Sequence, residues 1–409
     1  MNTTSLTFSA KATLPAGFRA SGIVAGLKKN RQPDMALFFS DSPAVVAGTF
    51  TTNQVKAATV RLDSERVQTI GMAHGIVVNS GQANACTGKA GLRDAKTMAA
   101  HAAARLGVAP ELFLVCSTGR IGVPLRMDLI LPGIEKLSDA LSPAGGEAAA
   151  LGILTTDTVP KRHTVRFTAN GQSCRLTGIA KGSGMIQPHM ATMLAFIVTD
   201  VSCSPDVLHD ALAAATDKTF NMISVDGDTS TNDMVVVLAN GEAGNPPLCL
   251  GTPGFAAFSA ALDAVCEDLA KRIAADGEGA TKLFEVQVVN APTVHDARAV
   301  GKAVVASSLV KAAVHGGDPN WGRIMCAAGY SGAEVDIDAS RLVLCSGGEC
   351  LTLFEDGTPC DYGEHEAVRL MSGSDLVFII DFKTGSASAK AWGCDLTNEY
   401  VNINAHYRT

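Results

Sequence analysis

Apolar residues recur along this chain with two different spacings, and the way the two alternate predicts its architecture. The three-to-four-residue spacing of amphipathic helices runs through residues 93–106, with Gly107 as the stop, and 206 to about 218, opened by Ser204-Pro205. It returns at residues 255–275 and 295 to about 313. Between these lie short runs that read as strands, at residues 75–78, 112–116, 193–199, 234–238, 284–289 and 376–382. Some are continuously apolar and others alternate, which fits sheets covered by helices on their outer faces better than an open sandwich. The expected class is α/β or α+β. The Pro/Gly-rich stretch 241–254 reads as a loop, and the last forty residues as sheet ending in a polar tail over residues 402–409.

Composition narrows the function classes. Of 409 residues, 47 % are hydrophobic and 18 % charged, with 40 glycines, as in a folded protein rich in tight turns and unlike a disordered or fibrous chain. Thirty-three basic against forty acidic residues give a net charge of −7, and the basic residues are scattered, so there is no footprint for nucleic acid or an anionic membrane. The longest apolar runs fall far short of the roughly 20 residues that a spanning helix needs. No signal or transit pattern opens the chain, which makes a cytoplasmic location the expectation. Eleven cysteines without a CxxC pair argue against a disulfide framework or zinc cage, and most are expected to be reduced, buried and apolar.

The signatures HExxH, GxxxxGK[ST], GxSxG and GxGxxG are all absent, and the nine histidines show no ligand spacing. What remains is a set of Gly-rich, hydroxyl-rich turns beside apolar strands. The most informative is KGSGMIQPHMATMLAFIVTD, from Lys181 to Asp200: a Gly-x-Gly turn beside a lysine leads to Ala191-Thr192 and then into a strand. Taken alone it also reads as a loop entering a buried strand, with Thr192 there for its β-branching.

This segment resembles the processing site of the ornithine acetyltransferases, the bifunctional glutamate N-acetyltransferases of arginine biosynthesis. The resemblance covers nearly the whole chain. It includes Asp34-Met35-Ala36-Leu37, Phe50-Thr51-Thr52-Asn53, Asn79-Ser80-Gly81-Gln82-Ala83-Asn84-Ala85, Ser117-Thr118-Gly119 and Thr155-Thr156-Asp157-Thr158. It continues through the run from Ser224 to Asp233, Gly277-Glu278-Gly279-Ala280-Thr281-Lys282, Asp318-Pro319-Asn320-Trp321-Gly322-Arg323 and the tail from Asp395. It implies an αββα-type core like that of the self-processing D-aminopeptidases, with a smaller C-terminal α/β portion over about residues 290–409.

The resemblance further implies self-cleavage between Ala191 and Thr192, giving pieces 1–191 and 192–409, two copies of each forming a heterotetramer or a larger assembly. An N-terminal threonine carries its own base, because the α-amine titrates near about 7.7 to 8.0 and can take the hydroxyl proton, so no histidine is required. Thr192 would then move an acetyl group from N2-acetyl-L-ornithine to L-glutamate through an acetyl-enzyme, in ping-pong fashion. Thr118 and Gly119 match the family's oxyanion hole, and Arg120 follows where the family carries an apolar residue. Thr155, Lys181, Thr192, Glu278, Asn404 and Thr409 match its substrate-binding positions, Lys181 suiting a carboxylate and Glu278 an ammonium. No metal or bound cofactor is implied, and acetyl-CoA as a further donor stays open. The rival readings are an aminopeptidase or amidohydrolase using the same nucleophile with water as acceptor, and an uncut amino-acid-binding protein.

Overall fold

A computed structural model describes residues 6–187 and 193–406. Two sheets organise it, one of nine strands and one of seven. The long strand Met35–Phe50 divides the first sheet into two layers. Its later half pairs with Met234–Ala239 and its earlier half with Phe18–Ile23 and Met72–Gln82, the register slipping between Phe39 and Ala44. Such a slip bends a strand and lets it serve two layers.

Alternation along the strands assigns the faces. Phe38, Phe196, Val198, Val236 and Leu238 are buried together between the layers, with Phe38 and Phe196 stacked at 5.3 Å. Ile197, Val235 and Val237 point the other way, onto the helices Pro205–Lys218 and Pro253–Ala275. Leu37, Val77, Phe113 and Val115 cover the opposite outer face, against Gly88–Leu106 and Met127–Asp139. The result is helix, sheet, sheet, helix: the layered αββα core that the family resemblance implied. The seven-stranded sheet holds Leu283–Ala291 between Asp375–Asp381 and Ala387–Cys394, takes Ile223–Ser224 as an edge, and packs with Val294–Ala306 against the same helical layer.

Local chemistry sets most element ends. Gly107 closes its helix in the left-handed conformation at φ 70°, and Ser204 and Thr252 cap helices that begin with proline. The helix expected over 295–313 is two, Val294–Ala306 and Ser308–Gly316, because the Ser307 side chain accepts Val310 N–H and starts a new one. The expected polar tail is instead the helix Asn398–His406. Cys345 and Cys350 form a disulfide across a hairpin, while nine cysteines are free. Among the described residues no helix is long and apolar enough to cross a membrane.

Phe196→Ala should destabilise the protein by about 3–5 kcal/mol in denaturant unfolding, since it empties the contact between the two layers. Unchanged stability would contradict the layered core.

Candidate active site

The site grows from the turn that ends strand Gln172–Lys181. Lys181 stands opposite Leu194, the first residue of the neighbouring strand, and Met193 O accepts the N–H of Met234 on the strand beyond. Three strand ends are thereby held in one row. The Lys181 ammonium, only 9 % exposed, donates to Thr155 Oγ1 at 3.0 Å and to Thr118 Oγ1 at 3.3 Å. Burial lowers its pKa, the Asp157 carboxylate opposes this and the Lys161 charge deepens it.

Thr118 lies within its strand, which extends past the 112–116 expected from the sequence. The strand runs Phe113–Arg120 and continues beside its parallel partner, with Asn79, Ser80 and Gly81 opposite Ser117, Thr118 and Gly119. Gly119 is required there: it has φ 123°, and a Cβ would fall 2.4 Å from the Gly81 carbonyl carbon. Arg120 ends the strand exposed to solvent.

A buried charge network holds Lys181 in position. Lys161 donates to Asp157 Oδ1 at 2.6 Å and to Asp276 Oδ2 at 2.5 Å. Asp157 also accepts the N–H of Gly182 at 2.7 Å and of Thr155 at 3.1 Å, fixing both the turn and the Thr155 loop. Burial works against ionised Asp157, but the charges of Lys161 and Lys181 and the hydrogen bonds win, and its pKa falls to about 2. Lys28, bonded to Pro33 O and Leu154 O, adds a third ammonium whose pKa burial lowers to about 8.

On the other side of the turn stands the second pair. Glu278 N–H donates to Ser183 O at 2.9 Å, and the Glu278 carboxylate lies where a Cβ on Gly184 would be, 2.3 Å from its Cδ, so a side chain at 184 would push the carboxylate aside. Asn404 Nδ2 donates to Glu278 Oε2 at 2.7 Å. The helix that carries Asn404 is tied down by Thr397 Oγ1 to Gly279 O at 2.8 Å and Tyr400 to Asp226 at 3.3 Å, and Asp226 caps Met185 and Ile186.

Thr118, Thr155 and Lys181 are thus bonded directly, and Glu278 and Asn404 form a second pair on the same turn. Ala191, Thr192 and Thr409 lie outside the described residues. Among the described residues no group of His, Cys, Asp or Glu is arranged to hold a metal.

Sequence reasoning missed the supporting residues. Asn232 donates to Ala83 O and Ser117 O at 2.6 and 2.7 Å, and Ser117 donates to Asn79 Oδ1 at 2.6 Å, so three separate motifs lock the strand end that bears Thr118. Their buried polar side chains beside apolar strands were the available signal. Asp318 to Arg323 serves elsewhere: Asn320 caps the helix Trp321–Gly329 and Trp321 stacks on Phe354 at 5.4 Å.

Asp157→Asn should cost about 3–5 kcal/mol at neutral pH by removing the carboxylate that offsets the buried Lys181 charge and leaving Lys161 with Asp276 alone. Because the folded pKa of Asp157 lies below its unfolded value near 3.9, its ionisation stabilises the fold above about pH 4, and that contribution is lost as pH falls toward 2. Urea titrations at stepped pH should show this loss in the parent and a flatter profile in the variant; parallel profiles would refute it.

The ArgJ family model matches residues 19–409. The arginine biosynthesis bifunctional protein ArgJ of Symbiobacterium thermophilum is 52 % identical over 399 residues, 97 % of this chain and 98 % of that protein. The protein of the same description from Caldanaerobacter subterraneus is 49 % identical over 399 residues, 98 % of each. A crystal structure of the arginine biosynthesis bifunctional protein from Bacillus halodurans is 47 % identical, with a TM-score of 0.50, and covers 53 % of this chain and 100 % of its own. The match is spread over the strands, turns and terminal helix that build the site: the chain belongs to the ArgJ family.

Proposed function

We propose that this chain cuts itself between Ala191 and Thr192 and that Thr192 then carries an acetyl group from N2-acetyl-L-ornithine to L-glutamate in arginine biosynthesis. The observation that carries this reading is the Lys181 ammonium, buried and bonded to the Thr118 and Thr155 hydroxyls at the strand end opposite Leu194. A cation there meets a substrate carboxylate two residues along the chain from Thr192. The relatives' description as bifunctional proteins of arginine biosynthesis supports the reaction class. A piece starting at Thr192 makes up 53 % of this chain, the share that the Bacillus halodurans structure covers with its whole length.

In the cleavage step Thr192 Oγ attacks the Ala191 carbonyl, the peptide nitrogen leaves as an amine, and water hydrolyses the resulting ester. The freed amine then takes the Oγ proton as Oγ attacks the acetyl carbonyl of acetylornithine; ornithine departs with that proton, leaving an acetyl ester on Thr192. The glutamate amine attacks the ester and restores the hydroxyl. Both halves pass through an oxyanion. The Lys181 ammonium occupies a lone pair of Thr118 Oγ1, so the Thr118 hydroxyl hydrogen is left to donate, and polarisation by the cation strengthens that donor. Lys181 also holds the α-carboxylate, while Glu278, steadied by Asn404, suits an ammonium. The far end of the site must take the cationic and the anionic side chain in turn, a task for the adaptable amide of Asn404 and the hydroxyl of Thr409. Acetyl-CoA as a second donor belongs to the same acyl chemistry and is decided by assay. Two copies of each piece are the assembly that the reading carries with it.

Thr192→Ala should stay one uncut chain and lose transfer from acetylornithine by more than about 10³-fold, while Thr192→Ser keeps part of both activities because hydroxyl and amine persist. Lys181→Ala should raise KM for both substrates more than it slows cleavage. Hydrolysis of acetylornithine with no dependence on glutamate would contradict the transfer.

A further inference from the structure

The hairpin of Lys161–Ala169 and Gln172–Lys181 turns one face toward the inter-layer core, where Thr177 and Ile179 are buried. Toward the turn of the hairpin the same face carries arginines. Arg166 and Arg175 stand directly opposite each other in the antiparallel register, an arrangement that destabilises a sheet when both groups are charged. Among the described residues neither guanidinium forms an ion pair with a carboxylate. Arg175 gives one hydrogen bond from Nη1 to Leu14 O at 2.7 Å, and its Nε is buried without an acceptor.

The nearby carboxylates are committed elsewhere. Asp200 spends its oxygens on main-chain donors, Arg175 N at 2.7 Å and Ala16 N at 3.3 Å. Asp41 receives Nε and Nη2 of Arg19 at 3.0 and 2.6 Å. All five charged side chains line one cavity of about 400 Å³, which the segment from Leu14 to Arg19 closes on one side. Three guanidiniums against two carboxylates leave the cavity cationic, and a buried guanidinium N–H without an acceptor costs free energy that an anionic ligand would recover.

We propose that this cavity is a second binding site, taking a small molecule through a carboxylate or phosphoryl group gripped jointly by Arg166 and Arg175. Both groups present paired oxygens to a guanidinium fork, and two opposed forks suit one such group. The volume is that of a small-metabolite site. Arg175 and Lys181 are six residues apart on one strand, roughly 20 Å at 3.4 Å per residue, so the cavity is separate from the candidate active site.

Calorimetric titration of the purified enzyme at matched ionic strength tests this, with inorganic phosphate in one arm, citrate in a second and chloride as reference. Saturable binding in the phosphate or citrate arm, weakened about ten-fold or more by Arg166→Ala and retained by Lys181→Ala, is expected; the stronger arm tells phosphoryl from carboxylate. Arg166 is exposed and opposes Arg175, so Arg166→Ala should be at least as stable as the parent and keep its basal transfer rate. Binding that Arg166→Ala leaves unchanged, that Lys181→Ala abolishes, that chloride reproduces, or that is absent from both arms overturns the proposal.

Discussion

One buried carboxylate decides where the working groups stand. Asp157 binds the Lys161 ammonium, accepts the N–H of Gly182 and of Thr155, and lies in the field of Lys181. Removing ammonium groups from water costs several kcal/mol each, and an ionised partner together with hydrogen-bonded hydroxyls offsets that cost. The Lys181 ammonium, bonded to Thr118 and Thr155, therefore depends on the Asp157 charge beneath it. Everything downstream, from the Gly182–Gly184 turn to Glu278 seated against Gly184, inherits its position from that balance.

The two pieces expected from cleavage are interleaved in the fold. Strand Gln172–Lys181 pairs with Leu194–Thr199, and Met35–Phe50 pairs with Met234–Ala239, so two strands of the second piece lie between strands of the first. Thr118, Thr155 and Lys181 come from one piece and Glu278 and Asn404 from the other, joined by Ser183 to Asp276 O and Glu278 N. A cut between Ala191 and Thr192 would leave these ladders intact. That is the physical requirement for a self-made nucleophile: the backbone is severed while the surrounding groups stay in register.

Much of this was legible in the residues. Amphipathic spacing located the helices that end at Leu106, Lys218 and Ala275, and motif resemblance picked out Thr118, Thr155, Lys181, Glu278 and Asn404, which the fold does bring together. What escaped was long-range. Nothing local in the sequence shows that Asn232 reaches Ser117, or that Ser117 reaches Asn79, since those contacts exist only after parallel strands align. The bend of Met35–Phe50 between two layers went unread, although Ser40-Asp41-Ser42-Pro43 interrupts its apolar residues where the register slips. The terminal helix was misread for a simpler reason: Asn398–His406 buries none of its residues, and its docking rests on Thr397, Tyr400 and Asn404 instead of an apolar stripe.

The central claim is that a new amino terminus activates the nucleophile. Intact-mass measurement with end-group sequencing of fully active enzyme tests it most directly. The account predicts pieces of 191 and 218 residues, the second beginning with Thr192; full activity in an uncut chain of 409 residues would contradict it.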